Sequence, residues 1–160
     1  MIVLFMLGYY MTDLSYMDLY YNLSYNIHKS LGILAFELSV AMILWTLYCK
    51  IPQPLASHKN WEQIAARLAH ITLFIMMVLI PFSGYAISSS GGKAVSFFDW
   101  YAIPSFLPIR EGLEDFAGEV HYYLAYGTLL LVCIHIAAAL KHQFIDKDGT
   151  ISRMLGRPAE

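Results

Sequence analysis

Three apolar runs set the pattern of this chain. A helix needs about 20 residues to cross a bilayer, and each run is close to that. The first is Leu31 to Tyr48, "LGILAFELSVAMILWTLY", with His28 just ahead of it. The second is about Ile64 to Ile87, "IAARLAHITLFIMMVLIPFSGYAI", where Pro81 is expected to kink the helix or mark its last turns. The third is Gly118 to His142, "GEVHYYLAYGTLLLVCIHIAAALKH". Together they predict helices over 28–50, 64–88 and 117–143, followed by a polar tail over 144–160. The opening "MIVLFMLGYYM" predicts a further helix over 1–14, but it turns polar at Thr12 and Asp13, too soon to span. It lacks the basic segment and A-x-A site of a secretory signal. It reads as the second half of a spanning helix. The expected fold is an all-α membrane protein: one domain, a four-helix transmembrane bundle with an incomplete first helix.

The connections add detail. "KIPQPLASHKNWEQ" is short and polar. "SSSGGKAVSFFDWYAIPSFLPIREGLEDFAGE" is long, aromatic and punctuated by Pro and Gly; Trp100 and Tyr101 suit the membrane–water interface. "LEDFAGE" within it predicts a short surface helix.

Composition agrees with a membrane. The 160 residues are 58 % hydrophobic and 14 % charged, with a mean hydropathy of +0.53. Soluble domains average about 45–50 % apolar and about 25 % charged. The net charge of -2 and the lack of a basic stretch give no sign of nucleic-acid binding. Cys49 and Cys133 read as small residues of apolar segments, not as a disulfide framework, and no CxxCH for covalent haem is present. Seven of the ten Lys and Arg residues (Lys50, Lys59, Arg67, Lys141, Lys147, Arg153, Arg157) fall on one side of the predicted spans. Lys29, Lys93 and Arg110 fall on the other. The positive-inside rule then puts the C-terminus in the cytoplasm, with His28, His121 and the aromatic loop facing the opposite compartment.

Histidines carry the candidate chemistry. His121 and His135 lie fourteen residues apart on one predicted helix. That is about 21 Å along its axis and only about 40° around it. One metal ion cannot use both. Two cofactors at two depths can. Haem fits best, because two imidazoles from different helices give a six-coordinate electron-transfer iron. His28 lies level with His121 and can pair with it. His135 needs a partner nearer the cytoplasm. The plainer readings stay beside these. His121 and His135 can be structural histidines bonded to helix carbonyls. Zinc is disfavoured, since no Cys or Asp clusters with them in the sequence. His58 reads as a solvated loop residue. His70 reads as a helix-end hydrogen bond or a cofactor contact, and His142 as a solvated interface residue or a quinone or propionate contact. Gly32, Gly84 and Gly127 are packing residues, or places where a flat macrocycle lies against backbone. Glu37 is expected neutral and buried inside the bundle.

Several stretches together resemble the bacterial cytochrome b561 family: "YYMTDL", "NIHKSLGIL", "RLAHITLFIMMVLIPFSGYAISSSGG", "AVSFFDWYAIPSFLP" and "GEVHYYLAYGTLLLVCIHIAAALKHQFIDKDGTISRML". The resemblance covers about residues 9–157. It implies a four-helix inner-membrane protein with two haems b. It also implies axial ligation of one haem iron by His28 and His121, and of the other by His135 and a first-helix His, usually followed by Trp. That last His would precede Met1, so the expectation is a truncated chain or a start codon placed too late, with one clearly ligated haem. His70 is the substitute partner for His135. Members often carry Arg where this chain has Met42, and Glu37 is outside the pattern. The function implied is one-electron transfer from a periplasmic donor, superoxide being the candidate, to ubiquinone. The alternative is a haem relay subunit serving a partner dehydrogenase or hydrogenase. A haem-free structural or transport bundle is the third reading, and the lack of charged pairs in the spans argues against transport.

Overall fold

The computed structural model describes residues 1–49 and 58–154. Its elements in order are α1 (Ile2–Thr12), α2 (Tyr21–Tyr48), α3 (Asn60–Ser89), β1 (Val95–Phe97), β2 (Tyr101–Ile103), α4 (Leu113–Phe144) and α5 (Thr150–Met154). By length and composition, α2, α3 and α4 are each able to cross a membrane, whereas α1 is a short apolar helix. The chain divides into two compact units, Met1–Lys50 with Phe74–Ala125 and Ile51–Leu73 with Tyr126–Glu160. Both α3 and α4 contribute to each.

The observed bounds move several residues relative to the apolar pattern. α2 begins at Tyr21, so His28 lies about two turns inside the helix and does not open it. The added turns, "YNLSYNI", are aromatic and amide-rich, which hydropathy scores low although such residues suit a membrane boundary. α3 begins at Asn60, so His70 lies well within it. "LEDFAGE" is not a separate surface helix. It forms the first turns of α4, where Glu114 and Asp115 complement the positive end of the helix dipole. Pro81 lies inside α3, about two turns before its end.

In the first unit α1 packs on α2, and β1 packs on α2 as well. The buried positions of α3 there are Ile80, Ser83, Ala86 and Ser89. They recur every third residue and are mostly small. Lipid gives no hydrophobic drive between helices, so small residues that allow close approach carry the association. Each buried hydroxyl needs an internal acceptor. Ser83 donates to the Ile80 carbonyl (2.8 Å), Ser89 to Tyr85 (2.7 Å) and Ser90 to Ile87 (2.9 Å). Large apolar side chains instead point outward, among them Leu38, Leu44, Leu47, Ile75 and Phe82.

The long connection departs from the all-α expectation. It holds an antiparallel hairpin in which Val95 pairs with Ile103 and Phe97 with Tyr101. Phe98 (φ 45°) and Asp99 (φ 60°) both take the left-handed conformation, and Trp100 N–H donates to the Phe97 carbonyl at 2.9 Å. Two such residues in a tight turn suit the right-handed twist of a hairpin. Phe is a costly residue there. The conformation is held by Ser96, whose hydroxyl accepts from Asp99 N–H and donates to Asp99 Oδ1, and by Ser30 of α2, whose Oγ accepts from Phe98 N–H at 2.9 Å. Further along, Tyr85 OH donates to the Pro104 carbonyl (2.8 Å) and accepts from Phe106 N–H (2.9 Å). The sequence signal was weak because each strand has three residues and the turn lacks the usual Asn-Gly.

Ser30 is 1 % exposed and is the acceptor that ties the hairpin turn to α2. Ser30→Ala is expected to cost about 1–2 kcal/mol by leaving Phe98 N–H unpaired. Thermal melting in detergent checks this: Ser30→Ala melts earlier, while Thr46→Ala, at an exposed hydroxyl bonded to its own helix, melts with the parent.

Candidate functional site

His28 of α2 and His121 of α4 come together in the first unit. Their ring centroids are 6.3 Å apart and their planes cross at 72°. His121 Nδ1 lies 3.0 Å from the Ile80 carbonyl and 3.0 Å from Ser83 Oγ. The carbonyl only accepts and the Ser83 hydroxyl already donates to it, so Nδ1 carries the proton. That fixes the tautomer and leaves the lone pair on Nε2. A ligand histidine needs this arrangement, with its other ring nitrogen donating to a carbonyl. Glycines face both rings. A Cβ on Gly8 would stand 3.1 Å from His28 Cε1, and one on Gly84 would stand 3.2 Å from His121 Cε1. Gly32 and Gly127 meet nothing within 4 Å, so the packing role open to all three sequence-selected glycines applies to neither of these two. Gly8 was not singled out by the sequence.

These distances test the haem expectation. With a metal–imidazole bond of about 2 Å, two rings on opposite sides of one ion hold their centroids about 6.3 Å apart. His28 and His121 have that spacing. His28 Nδ1 is buried without a hydrogen-bond partner, an orphaned polar atom beside the same pair. The two residues fit a haem iron that they would hold between them, with the His121 tautomer already set.

His135 and His70 are neighbours in the second unit. Their centroids are 5.0 Å apart and their planes cross at 64°. His70 is thus the imidazole beside His135. The spacing is about 1.3 Å below that of two axial rings on one metal, so this pair would have to part to share an ion.

His142 joins neither pair. It stacks on His58, with centroids 4.3 Å apart and planes at 32°. The reading of His58 as a solvated loop residue is corrected here. Its side chain is 16 % exposed and Nε2 donates to Asp148 Oδ2 at 2.7 Å. His142 is likewise not a solvated residue: its side chain is 14 % exposed, and Nδ1 lies 2.7 Å from Asp146 Oδ2 and 3.4 Å from Asp148 Oδ2. Nδ1 is buried, and neither approach has the alignment of a hydrogen bond. Asp148 is shaped by its own turn. Its Oδ1 accepts from Thr150 N–H (3.0 Å) and Oγ1 (2.6 Å). Burial pushes the Asp148 carboxyl up, yet the bonds from Thr150 and His58 outweigh it and hold the group below the usual carboxylate range. Lys141 Nζ contacts Asp146 Oδ2 at 2.6 Å and Glu62 Oε1 at 3.1 Å. Its hydrogen bond is the main cause holding Asp146 below that range. An Asp does gather with His58 and His142, two histidines outside the pair for which zinc was weighed. The His58–Asp148 contact spans 90 residues, so no local spacing announces it.

Glu37 is exposed and does not line an interior. Tyr101 OH donates to its Oε1 at 3.0 Å. Cys49 and Cys133 are both free.

Comparison with known proteins gives the family of the chain. A family profile described as prokaryotic cytochrome b561 matches residues 1–157. The chain is 41 % identical over 154 residues to cytochrome b561 homolog 2 of Escherichia coli (strain K12), covering 96 % of this chain and 82 % of that protein. It is 29 % identical over 130 residues to cytochrome b561 homolog 1 of the same organism, covering 81 % and 73 %. It is 29 % identical over 135 residues to the probable superoxide oxidase CybB of Yersinia pestis, again covering 81 % and 73 %. This chain belongs to the prokaryotic cytochrome b561 family of multi-pass membrane proteins, whose chemistry is transmembrane electron transfer by haem b.

Proposed function

We propose that this protein oxidises superoxide on the periplasmic side of the bacterial inner membrane and reduces ubiquinone, and that His28 and His121 would hold a haem b. The carrying observation is the His28–His121 pair, with a 6.3 Å centroid spacing and the Nδ1–H of His121 held by the Ile80 carbonyl. Haem supplies reversible one-electron chemistry when bound. Each superoxide anion gives up one electron and becomes dioxygen; two electrons and two protons convert ubiquinone to ubiquinol. The protein's own residues do the rest. Ile80 and Ser83 orient the His121 ring. Gly8 and Gly84 leave both rings room. Lys29, next to His28 in sequence, draws an anionic donor towards this end of the chain. His135 and its neighbour His70 are the candidates for a second haem, and the C-terminus lies in the cytoplasm. The likeness to a probable superoxide oxidase supports the donor.

A second reading is a haem relay for a partner dehydrogenase or hydrogenase. It is favoured by one observation: the aromatic connection exposes Trp100 (81 %), Phe106 (76 %) and Ile109 (77 %). Superoxide-driven quinone reduction by the purified chain alone decides for the first reading. Activity only with an added redox partner decides for the second.

The spacing of the two pairs predicts one bis-imidazole haem per chain, abolished by either His28→Ala or His121→Ala in a reduced-minus-oxidised spectrum. A ratio of two, with the second haem lost in both His135→Ala and His70→Ala, assigns His70 as the partner of His135. A spectrum without haem bands in the membrane-expressed protein removes both readings.

Gly84→Ala asks the His121 ring to give by a few tenths of an ångström, whereas Gly84→Val places branches against it. Haem content is expected to be kept by the first and to fall in the second. Lys29→Glu is expected to slow superoxide consumption by about tenfold or less at low salt, with haem content unchanged. Equal rates in the two proteins eliminate steering by Lys29.

A further inference from the structure

We propose that His58, His142 and Asp148 form a binding site for one divalent transition-metal ion of the zinc class, separate from the haem chemistry. The ligand atoms of these three residues all lie within 4.8 Å of one another. A tetrahedral ion with bonds of about 2.0 Å spaces its ligand atoms about 3.3 Å apart. Asp148 Oδ2 is already 2.7 Å from His58 Nε2 and 3.4 Å from His142 Nδ1. Small rotations of the imidazoles complete the approach.

The donor set is the kind this chemistry needs. Two neutral imidazoles and one carboxylate leave a fourth position for water, as in open zinc sites. Asp148 is 5 % exposed, and Thr150 holds its Oδ1 so that Oδ2 is presented to the two rings. A carboxylate fixed through its other oxygen is the supporting arrangement that metal ligands use. His142 Nδ1 is a buried nitrogen without a hydrogen-bond partner, which an ion would satisfy.

Charge selects this trio over the adjacent one. Glu62, His142 and Asp146 also bring their ligand atoms close together. There the Lys141 ammonium sits 3.1 Å from Glu62 and 2.6 Å from Asp146, where it neutralises both and repels a cation. Asp148 has no such ammonium contact among the described ion pairs, so its carboxylate is left to the two imidazoles. His58 precedes α3 and Asp148 follows α4. A bound ion would clip these two ends of the second unit together, and its binding energy would add to folding stability.

The test uses the purified haem-containing protein in detergent, stripped of adventitious metal with a chelator. Zinc binding is read by equilibrium dialysis, and cobalt substitution by visible absorption. The expected result is one zinc per chain, tetrahedral cobalt bands and a melting temperature raised by zinc. His58→Ala and the isosteric Asp148→Asn weaken zinc binding at least tenfold and abolish the thermal shift. Glu111→Gln, in the other unit, keeps both. The haem spectrum serves as the check that each variant is folded. Zinc affinity unchanged in His58→Ala and Asp148→Asn overturns the proposal, as does weak uptake of several ions with no thermal shift. Because the readouts are zinc stoichiometry and cobalt absorption, failure here leaves the electron-transfer reading untouched.

Discussion

Hydrocarbon offers no hydrogen bonds, so an imidazole on a membrane helix must find its partner inside the protein. In the first unit that partner is the Ile80 carbonyl, and the surrounding residues follow from it. Ile80 lies in the helix interior, where its oxygen serves the backbone ladder and has a second lone pair to give. Reaching it requires α4 to come close to α3. Gly84 has no side chain to block the His121 ring, and Ser83 adds a second short contact to the same nitrogen. Ser83 stays satisfied because it bonds back to Ile80 as well. The stripe Ile80, Ser83, Ala86, Ser89 thus serves packing and proton placement together.

The same helix pair presents a different arrangement in the second unit. His70 and His135 meet more closely than two rings on one metal, and His70 remains exposed. Among the described residues, neither ring makes a bond to a backbone carbonyl like that of His121. The contrast is chemical. In the first pair one ring, His121, has its tautomer set by a helix carbonyl, while the second pair has only proximity.

Much of this was legible from pattern alone. Long apolar runs mark α2, α3 and α4 because lipid rewards outward apolar side chains at every turn. The level of His28 with His121 was read from their lying on the same side of the spans, with His28 taken to open its helix; the structure sets it about two turns inside. Other features had no local signature. The hairpin rests on an unusual Phe-Asp turn, held by Ser30 from a distant helix. Helix ends rich in Tyr and Asn escaped hydropathy. The cluster of His58, His142 and Asp148 joins residues on either side of two helices, and reads in sequence as two ordinary polar loops.

That last cluster also orders assembly in time. Contacts of α1 and of the hairpin with α2 join segments made before α4 is complete. The bond between His58 and Asp148 closes across 90 residues. At about 5–20 residues per second of synthesis, His58 waits several seconds for its carboxylate. The ends of α3 and α4 become latched only after the last span has been made.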